Sequence, residues 1–216
     1  MQAPSADRRT RKRLATRQTI SDVATRLFME RGFDRVTVDE IAEAADVGRM
    51  TVFNHFPRKE DMFFDREQET HDLAFDAIRA RAPNKSPIEA LGDLAHRMTD
   101  RPQESFPLFT STREFVETAQ ASEALKARAR QMRDDFIRAL ADVMADAVGR
   151  PHDDGEGLLA AGLIAAAWST AFLRAHAELA KTSDVEAAKR SFLSLIDRGV
   201  EGTNAALEGT PYAGSA

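Results

Sequence analysis

The stretch TVDEIAEAADVGRMTVFNHFPRKEDMF, residues 37–63, decides the fold of the N-terminal part of this chain. Thr37 and Glu40 have the spacing of a capping box, which marks the start of a helix. The apolar residues that follow recur at helical spacing until Gly48 interrupts them. A second short apolar pattern ends before Pro57, because proline cannot donate the next helical hydrogen bond. Helices this short are marginal alone, so they need neighbours that stabilise them.

A preceding amphipathic segment supplies such a neighbour. Its apolar residues fall on one helical face, at Ile20, Val23, Ala24, Leu27 and Phe28. Gly32 ends this segment. Three short helices with a tight joint at Gly48 predict a helix-turn-helix, whose last helix can enter a DNA major groove about 12 Å wide.

The third helix, predicted from Arg49 to about His55, buries Val52 and Phe56 and leaves polar residues facing outward. Arginine can fork onto guanine or a phosphate, asparagine can pair with adenine, and threonine can reach either a base or a phosphate. The candidate DNA-contacting residues of this helix are Arg49, Thr51, Phe53, Asn54 and His55. A solvated helix face is the competing interpretation, and Phe53 and His55 can also pack against neighbouring helices.

The charge distribution supports contact with DNA. The whole chain has a net charge of −5. Residues 1–59 hold 12 Lys and Arg against 8 Asp and Glu, a net of +4, whereas residues 60–216 hold 18 against 27, a net of −9. A basic arm either follows the DNA backbone or minor groove or is a solubilising tail; its cations are Arg8, Arg9, Arg11, Lys12, Arg13 and Arg17.

The remaining composition excludes several classes of protein. The chain has no cysteine, which removes disulfides and cysteine zinc sites. The N-terminus MQAPSADRRTRKR lacks the apolar segment of a secretory signal. The run LLAAGLIAAAWSTAFL, residues 158–173, is shorter than the roughly 20 residues of a membrane span, so we expect a buried helix and no membrane partner. The five histidines lack metal-ligand spacing, so neither a metal nor a cofactor is predicted.

The sequence predicts an all-α chain of about nine helices in four parts. They are a basic flexible arm (1–13), a helix-turn-helix DNA-binding domain (14–58), a larger helical regulatory and dimerisation domain (59–207) and a disordered tail (208–216). A long helix is expected from Arg58 or Lys59 onward. Ser86 and Glu89 form a second capping box.

The segment RLFMERGFDRVTVDEIAEAADVGRMTVFNHFPRKEDMF, residues 26–63, resembles the DNA-binding domain of tetracycline-repressor (TetR) family regulators. The resemblance covers about residues 14–64 and implies that the third helix is the recognition helix. Lys59 suits a phosphate, and with the five α3 candidates it matches positions that commonly touch DNA in such proteins. Thr37, Arg13 and Arg17 complete the candidate DNA contacts. Gly48 stands where the family often has a capping serine, and Met50 where a small residue is common.

The resemblance also implies a homodimer. Two C-terminal segments carry suitable stripes: small residues at Gly162, Ala165, Ala166 and Ser169, and a heptad-like row at Ala188, Phe192, Leu195, Ile196 and Gly199. Two such helices from each subunit would form a four-helix bundle. A two-fold dimer reads half-sites about 34–36 Å apart, so a near-palindromic operator is expected.

A small-molecule effector inside the C-terminal helices is the third implication. Its candidate pocket residues are Phe75, Phe106, Phe109, Phe115, Met132, Phe136, Trp168 and Phe172; plain core packing is the competing interpretation. Polar contacts would come from His71, His96, Arg113, Arg133 and His176.

The sequence therefore predicts a cytoplasmic bacterial regulator, associated with the nucleoid through DNA and acting as a repressor released by a small molecule. The alternative is a helical protein-interaction module whose helix-turn-helix no longer binds DNA. An enzyme is not predicted, because no nucleophile–base pair, phosphate loop or paired carboxylates occur at suitable spacing.

Overall fold

The computed structural model describes residues 5–65, 67–100 and 110–214, and all regular structure in these ranges is helical. A 3₁₀ turn, Phe33–Arg35, follows the first helix. The α-helices are α1 (Ser5–Arg31), α2 (Val38–Ala44), α3 (Arg49–His55), α4 (Lys59–Phe63), α5 (Glu67–Arg79), α6 (Pro87–Asp100), α7 (Thr110–Ala121), α8 (Glu123–Val148), α9 (Gly155–Thr182) and α10 (Val185–Ala206). The all-α prediction is confirmed, with ten helices in the described ranges against about nine expected.

The chain divides into two compact units. The N-terminal unit comprises Met1–Glu67 and Glu114–Arg128, and the C-terminal unit comprises Gln68–Arg113 and Ala129–Ala216. The predicted domain boundary at residue 58 differs from this division. One reason is that Phe115 and Leu125, far along the sequence, pack in the apolar cluster of the N-terminal unit.

The core of the N-terminal unit contains the residues predicted from helical spacing. Phe28, Ile41, Val52 and Phe56 are fully buried there. The ring of Phe28 lies 4.9 Å from that of Phe33. Because α2 and α3 each have only seven residues, burial in this shared core stabilises helices that would be marginal alone.

Helix α2 begins at the predicted capping box and is followed by the predicted turn. The backbone amide of Glu40 donates to the Thr37 hydroxyl, and the amide of Thr37 donates to the Glu40 carboxylate at 2.8 Å, so the capping box is confirmed. The left-handed residue of the following turn is Asp46, with a φ of 52°. Gly48 is extended (φ −72°, ψ 147°) and is the N-cap of α3 without a side-chain cap.

The basic arm differs from its prediction as a flexible segment. From Ser5 onward it is helical and continuous with the rest of α1. The side chains of residues 8–15 are exposed. The basic residues therefore project from a helix that begins outside the unit's core.

The expected long helix from Lys59 is interrupted after Phe63. Phe63 stacks on Phe115 with ring centroids 4.2 Å apart, and Phe64 meets the same ring edge-on at 6.0 Å. Adjacent residues on a helix point about 100° apart, so a turn lets both rings reach one partner. Asp65 lies in this turn, and its carboxylate accepts a hydrogen bond from Arg17.

The C-terminal unit is built on long helices packed through small residues. Gly199 of α10 lies so close to Ala167 of α9 that an added methyl group would stand 2.3 Å from the Ala167 Cβ. Ala161 and Ala165 of α9 are also buried. Small side chains allow two helix backbones to approach closely over a long contact.

The tail predicted to be disordered is ordered through residue 214. Tyr212 is fully buried, and its hydroxyl donates to the Asp154 carboxylate at 3.0 Å. A side chain at Gly157 would collide with the Tyr212 hydroxyl. The tail prediction was wrong over these residues, because the aromatic ring packs against the start of α9.

Within the described ranges, α9 is long and apolar enough to cross a membrane by length and composition alone. Only 33% of its most apolar window is buried, so the expectation of a buried helix is only partly correct. Leu158, Leu159, Leu163 and Leu173 are exposed on it.

Candidate nucleic-acid interface

Helix α3, predicted to be the recognition helix, has one buried side and one exposed side. Val52 and the C-cap residue Phe56 are fully buried. Arg49, Met50 and Asn54 are exposed, and 70% of the surface of Met50 is accessible to solvent. The outward position of Met50, which follows from helical spacing in the sequence, is confirmed.

Arg49 is held by α2. Its guanidinium forms a salt bridge with the Asp39 carboxylate, and both side chains are more than half exposed. The same guanidinium lies 5.5 Å from the Phe53 ring. Exposed ion pairs contribute about 0–1 kcal/mol to the stability of the folded protein, so Arg49 can exchange Asp39 for another anion at a small cost in free energy.

Thr51, Phe53 and His55 are half-buried. The pKa of His55 is lowered from its ordinary value by burial, and further by the positive charges of Arg13 and Arg17. The imidazole is therefore neutral at pH 7. These residues border the exposed side of α3 without being its most accessible part.

Arg17 points into the N-terminal unit. Its guanidinium donates to the backbone carbonyl oxygen of His55 at 2.7 Å and to the Asp65 carboxylate. It also lies 4.1 Å above the Phe56 ring. The structure thus gives this predicted DNA contact three partners within the protein. Arg13, one helical turn earlier, is exposed.

Lys59 and Thr37 also have internal partners. The Lys59 ammonium donates to the carbonyl oxygens of Phe33 and Val36, each at 2.8 Å. Burial lowers the pKa of Lys59, although nearby Asp34 partly opposes the shift. The Thr37 hydroxyl is engaged in the capping box. Lys59 and Thr37 therefore stabilise the ends of the 3₁₀ turn and of α2.

The predicted pocket residues do not form one group. Phe115 belongs to the N-terminal unit, where it stacks on Phe63, so its assignment to a C-terminal pocket was wrong. Phe106 and Phe109 lie outside the described residues. Met132 is buried.

The other four pocket candidates lie in the C-terminal unit, where each takes part in an aromatic contact. Phe75 and Phe136 are stacked with centroids 5.8 Å apart, and His71 stacks on Phe136 at 4.3 Å. The ring of Trp168 on α9 meets that of Phe192 on α10 with centroids 5.6 Å apart, and the rings of Phe172 and His176, both on α9, lie 4.4 Å apart. The Trp168 indole nitrogen is buried and has no hydrogen-bond partner.

A cleft of about 430 Å³ lies elsewhere, in the N-terminal unit, between the end of α1 and α7. Met29, Phe33 and Thr118 are among its lining residues. In the described parts of the chain, no group of three or more His, Asp or Glu residues is arranged to hold a metal ion.

The predicted dimer residues on α10 require correction. Phe192 and Ile196 are 1% and 0% exposed and lie in the core of their own unit, because the apolar face of α10 packs on α9. Leu195 is half-buried in the same cluster. On α9, Ala166 is exposed, whereas Gly162 and Ser169 are half-buried.

A mostly apolar row on α9, which shares Ala166 with the predicted dimer residues, is exposed and follows heptad spacing. Its members are Leu159, Leu163, Ala166, Thr170, Leu173 and Ala177. Sequence periodicity could have found this row, because successive members are separated by four or three residues. The outer face of α10 is instead polar, with Arg190, Ser194 and Asp197 exposed.

Comparison with known proteins agrees with this architecture. The sequence profile of bacterial regulatory proteins of the tetR family matches residues 20–65. TcmR of Streptomyces glaucescens, an HTH-type transcriptional regulator, is 31% identical over 83 residues, which are 38% of this chain and 37% of TcmR. LfrR of Mycolicibacterium smegmatis, an HTH-type transcriptional repressor, is 32% identical over 90 residues, covering 42% of this chain and 46% of LfrR.

The similarity to these two relatives spans less than half of their length. A longer match is structural: FadR of Thermus thermophilus, a TetR-family transcriptional repressor solved in complex with lauroyl-CoA, has a TM-score of 0.54. It is 23% identical and covers 87% of this chain and 92% of FadR, which establishes a common fold. The N-terminal segment of this chain is therefore similar to the tetR family of bacterial regulatory proteins, and the chain as a whole shares the fold of FadR.

Proposed function

We propose that this protein is a cytoplasmic, DNA-binding transcriptional repressor that binds a near-palindromic operator as a homodimer and is released by a small molecule. The observation that carries the proposal is the exposed side of α3, where Arg49 and Asn54 project from a helix fixed by the buried Val52 and Phe56. The names of the relatives TcmR and LfrR support a regulator and a repressor, respectively.

Base reading is assigned to the exposed polar residues of α3. Arg49 has the geometry to fork onto guanine, Asn54 to pair with adenine, and Thr51 to reach a base or phosphate. Phe53 and His55 border this surface, and Thr37 lies at the start of α2. Arg13 adds a cation for the phosphate backbone. Contact with DNA requires Arg49 to leave Asp39, which their exposure makes inexpensive.

The test uses a duplex that the wild-type protein selects from a random-sequence pool. Arg49→Ala combined with Asn54→Ala is expected to weaken binding to that duplex about a hundredfold, since each base contact contributes about 1–3 kcal/mol. Arg138→Ala, an exposed cation of α8, is the control and should leave affinity unchanged.

A salt titration of the wild-type protein on the same duplex tests phosphate anchoring. A clearly negative log–log slope is expected. A slope near zero, or unchanged affinity of the double variant, would favour the alternative of a protein-interaction module.

The homodimer is assigned to the exposed heptad row of α9. Leu159, Leu163 and Leu173 leave apolar surface uncovered in a single chain, and a second copy across a two-fold axis would cover it. Leu163→Glu combined with Leu173→Glu is expected to yield a monomer by size-exclusion chromatography with light scattering. Leu73→Glu, at an exposed leucine of α5, is the control; a dimer in both cases would contradict the assignment.

The effector is assigned to the aromatic residues of the C-terminal unit. FadR was solved with lauroyl-CoA, which supports a small-molecule input for this fold. The buried indole nitrogen of Trp168, which has no hydrogen-bond partner, offers one donor to such a molecule. Mass spectrometry of the denatured protein after native purification should detect a copurified compound, and Trp168→Phe should reduce its recovery relative to Leu73→Ala, at an exposed leucine of α5.

A further inference from the structure

Arg17 of α1 joins three parts of the N-terminal unit that are distant in sequence. Its guanidinium donates to the carbonyl oxygen of His55 at 2.7 Å and to the carboxylate of Asp65, and it covers the Phe56 ring at 4.1 Å. The Asp65 side chain is only 12% exposed, and that of Arg17 is 37% exposed. A charged hydrogen bond between partly buried groups with a fixed acceptor is directional.

The acceptor His55 is the last residue of the recognition helix. Carbonyl groups in the last turn of a helix have no partner within the helix, and a cation placed there also interacts favourably with the helix dipole. The other end of α3 has the N-cap Gly48, which provides no side-chain hydrogen bond. Arg17 therefore anchors α3 through the backbone of its C-terminal end.

We infer that Arg17 is a positioning residue that sets the orientation of α3 rather than a contact to DNA phosphate. Asp65 is its counterpart, because it fixes the guanidinium from the opposite side. This inference rests on the proposed DNA-binding function and replaces the phosphate role predicted for Arg17 from the sequence. It leaves the phosphate role to Arg13, which precedes Arg17 by one helical turn and is exposed.

The two roles predict different dependence on DNA sequence and salt. A phosphate contact strengthens specific and non-specific binding alike, and its removal reduces the salt slope by about one. A positioning residue acts only where α3 must align with base edges. Its removal lowers specific affinity and leaves both non-specific affinity and the salt slope unchanged.

The experiment compares Arg17→Ala with Arg13→Ala, which removes the same charge from the same helix. Each dissociation constant is measured at several salt concentrations for the duplex selected by the wild-type protein and for a shuffled duplex of equal length. The temperature is one at which circular dichroism finds every variant folded. Asp65→Asn is the third variant, because it loosens Arg17 without removing a cation.

For Arg17→Ala we expect specific affinity to fall about tenfold or more, the scale of one misaligned base contact, with an unchanged shuffled-duplex affinity and salt slope. For Arg13→Ala we expect equal losses on both duplexes and a slope reduced by about one. Asp65→Asn should also lose specific affinity. A phosphate-binding Arg17 predicts the opposite sign for Asp65→Asn, because releasing the guanidinium from Asp65 would tighten binding.

Tighter binding by Asp65→Asn, or a reduced slope with equal losses for Arg17→Ala, would overturn the inference in favour of a phosphate contact. Unchanged specific affinity in both variants would overturn it in favour of a role in stability alone. If Arg17→Ala does not fold, Asp65→Asn decides the question by the sign of its effect. Failure of the wild-type protein to select any duplex is a separate result, which rejects the proposed function before a variant is measured.

Discussion

Helices α3 and α9 are positioned by different interactions: charged side chains of neighbouring segments position α3, whereas the packing of small and apolar side chains positions α9. α3 has seven residues and a single fully buried side chain within its span, Val52. Charged side chains of other segments bind the backbone in and around this helix. Arg17 donates to the carbonyl oxygen of the last residue of α3, and Lys59 donates to two carbonyl oxygens of the turn before α2. α9 has 28 residues, and its contact with α10 consists of small and apolar groups.

This difference follows from length. A short helix presents few apolar residues to a core and leaves a large share of its backbone groups without helical partners. Charged side chains of neighbouring segments can satisfy those groups and fix direction. A long helix buries enough surface to be positioned by packing. The N-terminal unit should therefore be sensitive to changes of charge, and the C-terminal unit to changes of side-chain volume.

The largest expected effect concerns volume in the C-terminal unit. Tyr212→Ala should lower the free energy of unfolding by about 3–5 kcal/mol, because it leaves a cavity where a fully buried ring packs. Denaturant unfolding measures the change. Tyr212→Phe is the control and should lose about 1.5 kcal/mol, the contribution of one hydrogen bond to a carboxylate. Near-equal losses in the two variants would show that the ring itself contributes little.

Removing the charge of Lys59 should destabilise the N-terminal unit locally. Lys59→Met leaves the carbonyl oxygens of Phe33 and Val36 without the ammonium donor. We expect a loss of about 1–3 kcal/mol, visible as faster amide hydrogen exchange in α2 and α3. Lys12→Met, at an exposed residue of α1, should stay within about 0.5 kcal/mol. Equal protection in the two variants would contradict a structural role for Lys59.

Tyr212 in the tail should also make the stability of the C-terminal unit depend on pH in the alkaline range. Burial, followed by the hydrogen bond to Asp154, raises the pKa of Tyr212 to about 12. Because the folded-state pKa is raised, the contribution of Tyr212 is complete below pH 10 and is lost as the pH rises from 10 to 12. The stability advantage of the wild-type protein over Tyr212→Phe should therefore disappear over that interval. A constant difference would contradict this linkage.

The smallest expected effect is a gain in stability at the N-terminal end of α3, where Gly48 provides no side-chain cap. Gly48 has an extended conformation that any residue adopts, and an added Cβ would lie 3.8 Å from the Thr51 hydroxyl. Gly48→Ser supplies a side-chain cap and should stabilise the N-terminal unit by a few tenths of a kcal/mol. Thermal unfolding measures it, with Gly48→Ala as the control that adds a Cβ without a capping oxygen. A loss of stability with serine would show that the cap geometry is not accessible.

Local patterns predicted the features that depend on neighbours in the sequence. The capping boxes at Thr37 and Ser86 are both present, because each involves residues three positions apart. The buried residues Val52 and Phe56 followed from helical spacing. The exposed residues Arg49 and Asn54 followed from the same pattern, since a helix with one buried side must present its other side.

Features that join distant segments were not predictable in this way. The bond from Arg17 to Asp65 spans 48 residues, and no local signal distinguishes an internal arginine from one that faces DNA. Phe115 looked like a pocket residue because its partner Phe63 lies in another part of the sequence. The tail looked disordered because it is polar and rich in glycine, and one buried tyrosine reverses that outcome.

The sequence by itself determined the helix-turn-helix, the exposed face of α3 and the all-α class, because periodicity and capping are local physics. Only the tertiary structure decided which cations remain exposed on α1, which apolar row of α9 stays uncovered and that Tyr212 of the tail is buried. Those outcomes depend on which partner each side chain meets after folding, and an arginine or leucine has the same local pattern whether it ends inside or outside.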